Sequence, residues 1–325
     1  MRLLLSISVL VLASFHPAVA APAADAEIHV ITWPTRHAAG PPVLTASAQS
    51  SLPAFRAALE LLPESLIVKM ALSQPAALGL TDSSAARLQP LLAQEYKEID
   101  ADPVFTSAPS SLSYCFAADR PAKGRGTLFR PAGSSAETPV ILFLHGHGGS
   151  FTWYQHYLAK LFPQCIILCP AYGIDPSNIG AEYVIEALKA AEQKLGHPLR
   201  DPFLTGLSAG AFGAARLFAA DPRPFRALVL LAGYAPPDVL PHFAKARPVH
   251  LLAGAEEAFV KDKSWMECVR ELNRRKVPVR WDLIDGADHF FLLTHPRESE
   301  QWLREALATE AGAGRARKSQ TAAGQ

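Results

Sequence analysis

The sequence predicts an α/β protein, with a mostly parallel central sheet covered by helices on both faces and a mainly helical extension ahead of it. Three observations carry this. From about residue 112, short apolar runs alternate with stretches of helical periodicity, the pattern of strand–helix units stacked into one sheet. Residues 27–100 lack that alternation and instead repeat apolar residues at helical spacing. The segment Gly206-Leu207-Ser208-Ala209-Gly210 then joins an apolar run to a helical one with no room for a loop. Half the chain is apolar (49%) and 19% is charged, so a sizeable core is available. The net charge of +1, without a basic stripe or acidic tract, weighs against nucleic acid as a partner.

Taken in order, the first twenty residues read as a secretory signal peptide. Arg2 supplies a positive start, Leu3 to Ser14 an apolar run, and Ala18-Val19-Ala20 a small-residue cleavage site. The run is too short for a membrane anchor. An exported mature chain starting at Ala21 is therefore expected, periplasmic or secreted. Residues 21–111 form the extension, with helices expected over Ser51 to Leu62, Ser65 to Leu80 and Ser83 to Ile99. Ser51 and Ser65 are N-cap candidates, and Pro63 and Pro75 punctuate the runs. No catalytic constellation falls in this part, whose expected role is to pack on the main domain.

The main domain is expected over residues 112–308. Ser113 to Ala117 and Gly126 to Arg130 read as a hairpin pair. Strands follow at Pro139 to Leu144, Cys165 to Cys169, Phe203 to Thr205, Ala227 to Leu231, Val249 to Leu252 and Val277 to Ile284. Helices are expected at Ala181 to Leu195, Ala211 to Ala220, Trp265 to Arg275 and Glu298 to Leu307. Residues 309–325 are small, polar and basic, and read as a disordered tail. The four cysteines, Cys115, Cys165, Cys169 and Cys268, fit no zinc spacing and are expected to be buried thiols. Cys165 and Cys169 share one expected strand, which puts them roughly 13 Å apart, beyond disulfide reach.

Gly-x-Ser-x-Gly is a modest signal alone; its context gives it force. The strand ending at Thr205, the five-residue motif and the helix from Ala211 are what a nucleophile elbow requires. The chain reverses so sharply that side chains at positions 206 and 210 would collide, and Ser208 is pushed out at the apex. The N–H of Ala209, at the start of the helix, is then one donor for a developing oxyanion. Upstream, Val140 to Leu144 runs into His145-Gly146-His147-Gly148-Gly149, a Gly-rich loop suited to the second donor. That donor is assigned to the N–H of His147, with Gly148 next; His145 is expected to brace the loop.

A serine hydroxyl needs a base. In this chain order the base follows the acid, which follows the serine. His242, His250, His289 and His295 come after Ser208. His250 lies inside a strand and His242 in a Pro-rich segment, whereas His289 directly follows the last strand. His289 is the favoured base and His295 the fallback. Glu257, just past the strand that ends near Gly254, is chosen as the acid over Glu256, with Asp238 the main alternative and Asp262 and Asp288 behind it.

Together these segments resemble the α/β-hydrolase superfamily over roughly residues 112–308, and in particular secreted esterases and dienelactone-hydrolase-like serine hydrolases. The resemblance implies an α/β-hydrolase fold, Ser208 as nucleophile, His289 as base, Glu257 where the family usually has Asp, and His147 and Ala209 as oxyanion donors. It also implies carboxylic-ester cleavage on a small or polymeric ester, with no metal and no organic cofactor. A peptidase of the same fold and a noncatalytic binder on this scaffold are the alternatives. About fifteen residues separate the strands near Ala232 and Val249, too few for a large cap. Phe151, Trp153 and Tyr154 are either pocket-lining residues or the buried face of the next helix.

Overall fold

The computed structural model describes residues 25–35, 46–73, 80–106, 108–117, 123–243 and 247–308. The leader over residues 1–20 and the tail over 309–325 lie outside the described residues. The elements run β1 Glu27–Pro34, α1 Ala46–Leu61, α2 Glu64–Leu72, α3 Asp82–Ala101, α4 Pro103–Thr106, α5 Leu112–Cys115, β2 Lys123–Arg130 and β3 Val140–Leu144. They continue α6 Thr152–Leu161, β4 Ile166–Ala171, α7 Ala181–Leu195, β5 Phe203–Leu207, α8 Ala209–Ala220, β6 Ala227–Leu231 and β7 Val249–Gly254. The last are α9 Ala258–Lys261, α10 Ser264–Arg274, β8 Val279–Ile284, α11 Phe291–Thr294 and a closing helix α12 over 296–308.

The strands form one eight-stranded sheet in the order β1-β2-β4-β3-β5-β6-β7-β8. The β1–β2 and β2–β4 pairs are antiparallel, and every pair from β4 onward is parallel. This is the α/β-hydrolase architecture the sequence implied. The inner strands are buried along their whole length (VILFL in β3, FLTGL in β5, ALVLL in β6), which is why they read as unbroken apolar runs. Alternate residues serve opposite faces. Ile141, Phe143 and Ile167 join one core with α3, α6, α11 and α12. Leu142, Leu144, Ile166 and Leu168 join the other with α7, α8 and α10.

Ser51 and Ser65 lie inside α1 and α2 rather than capping them, α2 ends at Leu72 rather than near Leu80, and two further elements differ in kind from the sequence reading. Residues 27–34 are an edge strand of the main sheet, in register from Glu27↔Arg130 to Pro34↔Lys123. Its alternation breaks at the adjacent apolar pair Val30-Ile31, and its partner is distant in sequence, so little local marked it. Trp33 lies flat over Gly124, where a Cβ would stand 2.2 Å from the indole; the glycine opens the space the ring fills. Ser113 to Ala117, expected as a strand of the hairpin, falls in and just after the short helix α5. Leu112 and Cys115, three residues apart, bury together there, and that is helical spacing. The antiparallel neighbours of β2 are β1 and β4, neither joined to it as a hairpin.

Helices α2 and α3 pack against each other, and α3 also packs on α6 and α11. The extension is thus a second layer outside one helical face of the sheet. All four cysteines are buried thiols outside any disulfide. Among the described residues, no helix is long and apolar enough to cross a membrane.

Candidate active site

Ser208 leaves β5 at φ 55°, ψ −118°, a region that costs an L-residue on the order of 1–3 kcal/mol. The neighbours make this turn possible. A Cβ on Gly206 would stand 2.2 Å from the Gly210 carbonyl oxygen, and one on Gly210 would stand 2.2 Å from the Leu144 carbonyl oxygen. Any side chain at either position would push the elbow off the sheet. The Ser208 N–H donates to the Leu231 carbonyl at 2.8 Å, tying the apex to the next strand. Ala209 opens α8, so its N–H belongs to the first turn, where no intrahelical acceptor exists.

The Gly-rich loop after β3 runs beside this apex. A Cβ on Gly146 would sit 3.6 Å from Ser208 Cβ and 3.4 Å from the Tyr154 hydroxyl. Tyr154 hydrogen-bonds the Gly146 backbone, and burial pushes its phenol pKa up. His145 is buried within the loop. Its Nε2 accepts from the Tyr172 N–H at 3.1 Å, which leaves Nδ1 to donate to the Gly146 carbonyl at 2.7 Å. Burial lowers its pKa to about 4, so the ring is neutral and serves as a fixed strut. The Gly148 N–H donates to the Ile174 carbonyl at 2.7 Å and is spent. His147 is exposed, and among the described residues no backbone carbonyl takes its N–H. Of the two loop donors considered from the sequence, His147 is the one left open. Trp153 and Tyr154 are buried in α6, whereas Phe151 is half-buried and packs near Gly148.

The loops after β7 and β8 are laced together. Ala255 N–H donates to Ile284 at 3.0 Å and Glu256 N–H to Ala287 at 2.9 Å. Gly254 lies so close that a Cβ there would stand 2.3 Å from the Ala287 carbonyl oxygen. This lacing puts Glu257 against His289. The imidazole Nδ1 lies 3.1 Å from Oε1 and 3.0 Å from Oε2 of the carboxylate. Glu257 is buried, with its side chain 5% exposed, while the His289 ring is 40% exposed. An imidazole that donates from Nδ1 to a buried carboxylate presents a bare Nε2 outward. Among the described residues no hydrogen bond closes from Ser208 Oγ to His289.

The other candidates are engaged elsewhere. Asp238 pairs with Arg216 at 2.7 Å on the surface, and that guanidinium holds its carboxyl below the usual range. Glu256 pairs with Lys261 at 2.7 Å. Asp262 accepts from the Ser264 N–H at 2.9 Å. Asp288 accepts from the Phe290 N–H at 3.1 Å and pairs with Arg87. His295 meets the Thr294 hydroxyl at 2.9 Å. His250 is buried in β7 and His242 lies in a 3-10 turn, Leu240–His242. No three His, Cys, Asp or Glu side chains cluster to hold a metal among the described residues. Sequence reasoning missed two residues beside the site: Tyr154 as an anchor of Gly146, and Glu64 of α2, whose carboxylate reaches the first residue of α6.

No family model and no curated protein matches the sequence. Among solved structures the chain is similar to a thermostable esterase, at 19% identity over 56% of this chain and 59% of the esterase, with a TM-score of 0.46. It is also similar to an esterase B from Lactobacillus rhamnosis, at 16% identity over 63% of this chain and 86% of that one, TM-score 0.49. An acylaminoacyl peptidase from Pyrococcus horikoshii matches at 13% identity over 58% of this chain and 39% of the peptidase, TM-score 0.47. The chain thus spans less than two thirds of the first and the last of these proteins. The strand order and the turn at Ser208, rather than these overlaps, define the fold.

Proposed function

We propose that this protein is an exported serine hydrolase that cleaves carboxylic esters through a Ser208–His289–Glu257 triad and an acyl-enzyme. The observation that carries the reading is the buried Glu257 carboxylate on His289 Nδ1, on the same sheet edge as a strained serine. Ser208 Oγ attacks the ester carbonyl carbon as its proton passes to His289 Nε2. Glu257 holds the imidazole tautomer and stabilises the imidazolium. The oxyanion lies between the N–H groups of His147 and Ala209. His289 returns the proton to the departing alcohol oxygen, and water then repeats the sequence on the acyl-enzyme. Export is supported by the leader over residues 1–20.

A fluorophosphonate probe tests the core of this: Ser208 Oγ displaces fluoride from phosphorus and labels the protein. Wild type labels and hydrolyses short-chain esters, and Ser208→Ala loses both by at least about 10⁴-fold while staying folded. Clear peptide cleavage with negligible ester turnover sinks the ester reading. Folded wild type without Ser208-dependent labelling sinks the serine-hydrolase reading and favours a binding protein.

A further inference from the structure

Glu64 opens α2, far from the catalytic residues in sequence, yet its carboxylate accepts four hydrogen bonds. Its Oε1 accepts from the Tyr96 hydroxyl at 2.7 Å and from the Thr152 N–H at 2.7 Å. Its Oε2 accepts from the Thr152 hydroxyl at 3.1 Å and from the Ser110 hydroxyl. Thr152 is the first residue of α6, and Phe151 at the N-cap position offers no side-chain cap. Glu64 therefore supplies from another element the cap and the negative charge that the α6 N-terminus lacks. The chain entering α6 is the Gly-rich loop of the site. That loop also rests on the extension: Ser150 N–H points at Cys115 Sγ at 3.4 Å, and a Cβ on Gly149 would stand 2.9 Å from Leu112. A second tie reaches the other side of the site, where Arg87 of α3 pairs with Asp288, next to His289.

We infer that the helical layer formed by α2, α3 and α5 is part of the catalytic apparatus, with Glu64 the positioning residue for the His147 oxyanion donor and Arg87 that for the His289 loop. This rests on the serine-hydrolase reading. The alternative is a layer that only adds stability. The two differ because a misplaced oxyanion donor slows the reaction at Ser208 in protein that is still folded.

The bonding pattern also predicts which variant rescues. Both groups on Oε2 are hydroxyls, able to turn and accept from an amide; the Thr152 N–H on Oε1 can only donate. Glu64→Gln keeps a carbonyl oxygen for Oε1 and offers its NH₂ to the two hydroxyls. Glu64→Ala keeps neither.

The experiment is the second-order rate of fluorophosphonate labelling of the full chain at 25 °C, with folding monitored by circular dichroism and with kcat and KM on a short-chain ester. Glu64→Ala is expected to label about tenfold or more slowly, with kcat down in proportion and KM within twofold. Glu64→Gln should stay within about threefold of wild type, and Arg87→Ala, at an exposed pair that does not threaten folding, should label about threefold more slowly. Folded Glu64→Ala labelling at the wild-type rate overturns the inference and leaves the hydrolase reading intact. If Glu64→Ala does not fold, Arg87→Ala decides, and an unchanged rate overturns the inference. A silent wild type overturns both.

Discussion

Two carboxylates of the same chemical type, the buried Glu257 and the half-buried Glu64, are treated in opposite ways by the fold. Glu257 sits on the loop edge of the sheet and faces one group, the His289 imidazole, which is itself 40% exposed. Glu64 sits between the extension and α6 and is saturated by four donors. A saturated carboxylate fixes geometry. A carboxylate with one titratable partner leaves its energy free to respond when that partner takes up a proton. Two of the non-glycine residues held at positive φ, Ser208 and Ala232 (φ 48°), lie on that loop edge.

The largest expected effect tests that contrast at the edge. Glu257→Gln removes the charge that stabilises the imidazolium, and kcat should fall by about 10²- to 10⁴-fold with the melting temperature nearly unchanged. Asp238→Asn, which disturbs only the exposed pair with Arg216, should stay within about twofold. Steady-state ester hydrolysis of the two variants side by side checks this. The reverse ranking would move the acid to the end of β6.

The next effect falls where edge and body join. Gly206→Ala places a Cβ 2.2 Å from the Gly210 carbonyl oxygen, a contact no rotamer relieves. A loss of about 2–4 kcal/mol of stability is expected by denaturant titration, together with loss of turnover. This substitution, unlike Glu257→Gln, should not separate the two properties. If it costs turnover alone, the elbow relaxes without strain reaching the sheet.

Much of the edge was readable from sequence because it is built from local rules. Buried parallel strands leave continuous apolar runs, and a strand turning straight into a helix demands glycines on both sides of Ser208. Chain order places a candidate base after the last strand, which pointed to His289, the ring the fold sets against Glu257. What escaped is non-local. The β1 strand has a broken alternation and a partner nearly a hundred positions on. Glu64 is an ordinary acidic residue at a helix start, with partners 32, 46 and 88 residues away. No spacing within the sequence announces contacts of that kind. The same holds for Tyr154, whose apolar neighbours mark it as core while its hydroxyl reaches Gly146.

The smallest effect concerns the body alone. His250 is buried in β7, T-shaped to Trp302, with neither ring nitrogen hydrogen-bonded. Desolvation first, and Arg280 second, lower its pKa to about 4. His145 and His156 are also held at about 4, chiefly by desolvation. A histidine depressed in the folded state takes up its proton first in the unfolded chain, whose value is near 6.5. Stability is therefore whole above about pH 6.5 and declines as pH falls toward 4, below which the loss levels off. Replacing His250 by Leu removes one of these contributions and an unsatisfied polar group as well. The variant should be as stable as wild type or up to about 1 kcal/mol more stable at pH 7.5, and its melting temperature should fall less steeply between pH 6.5 and 4.5. Ester turnover at pH 7.5 should be unchanged, because His250 touches neither Ser208 nor the Glu257–His289 pair. A melting-temperature slope identical to that of wild type would mean that the ring finds a proton partner in the folded core. The saturation contrasted with the loop edge would then extend to β7.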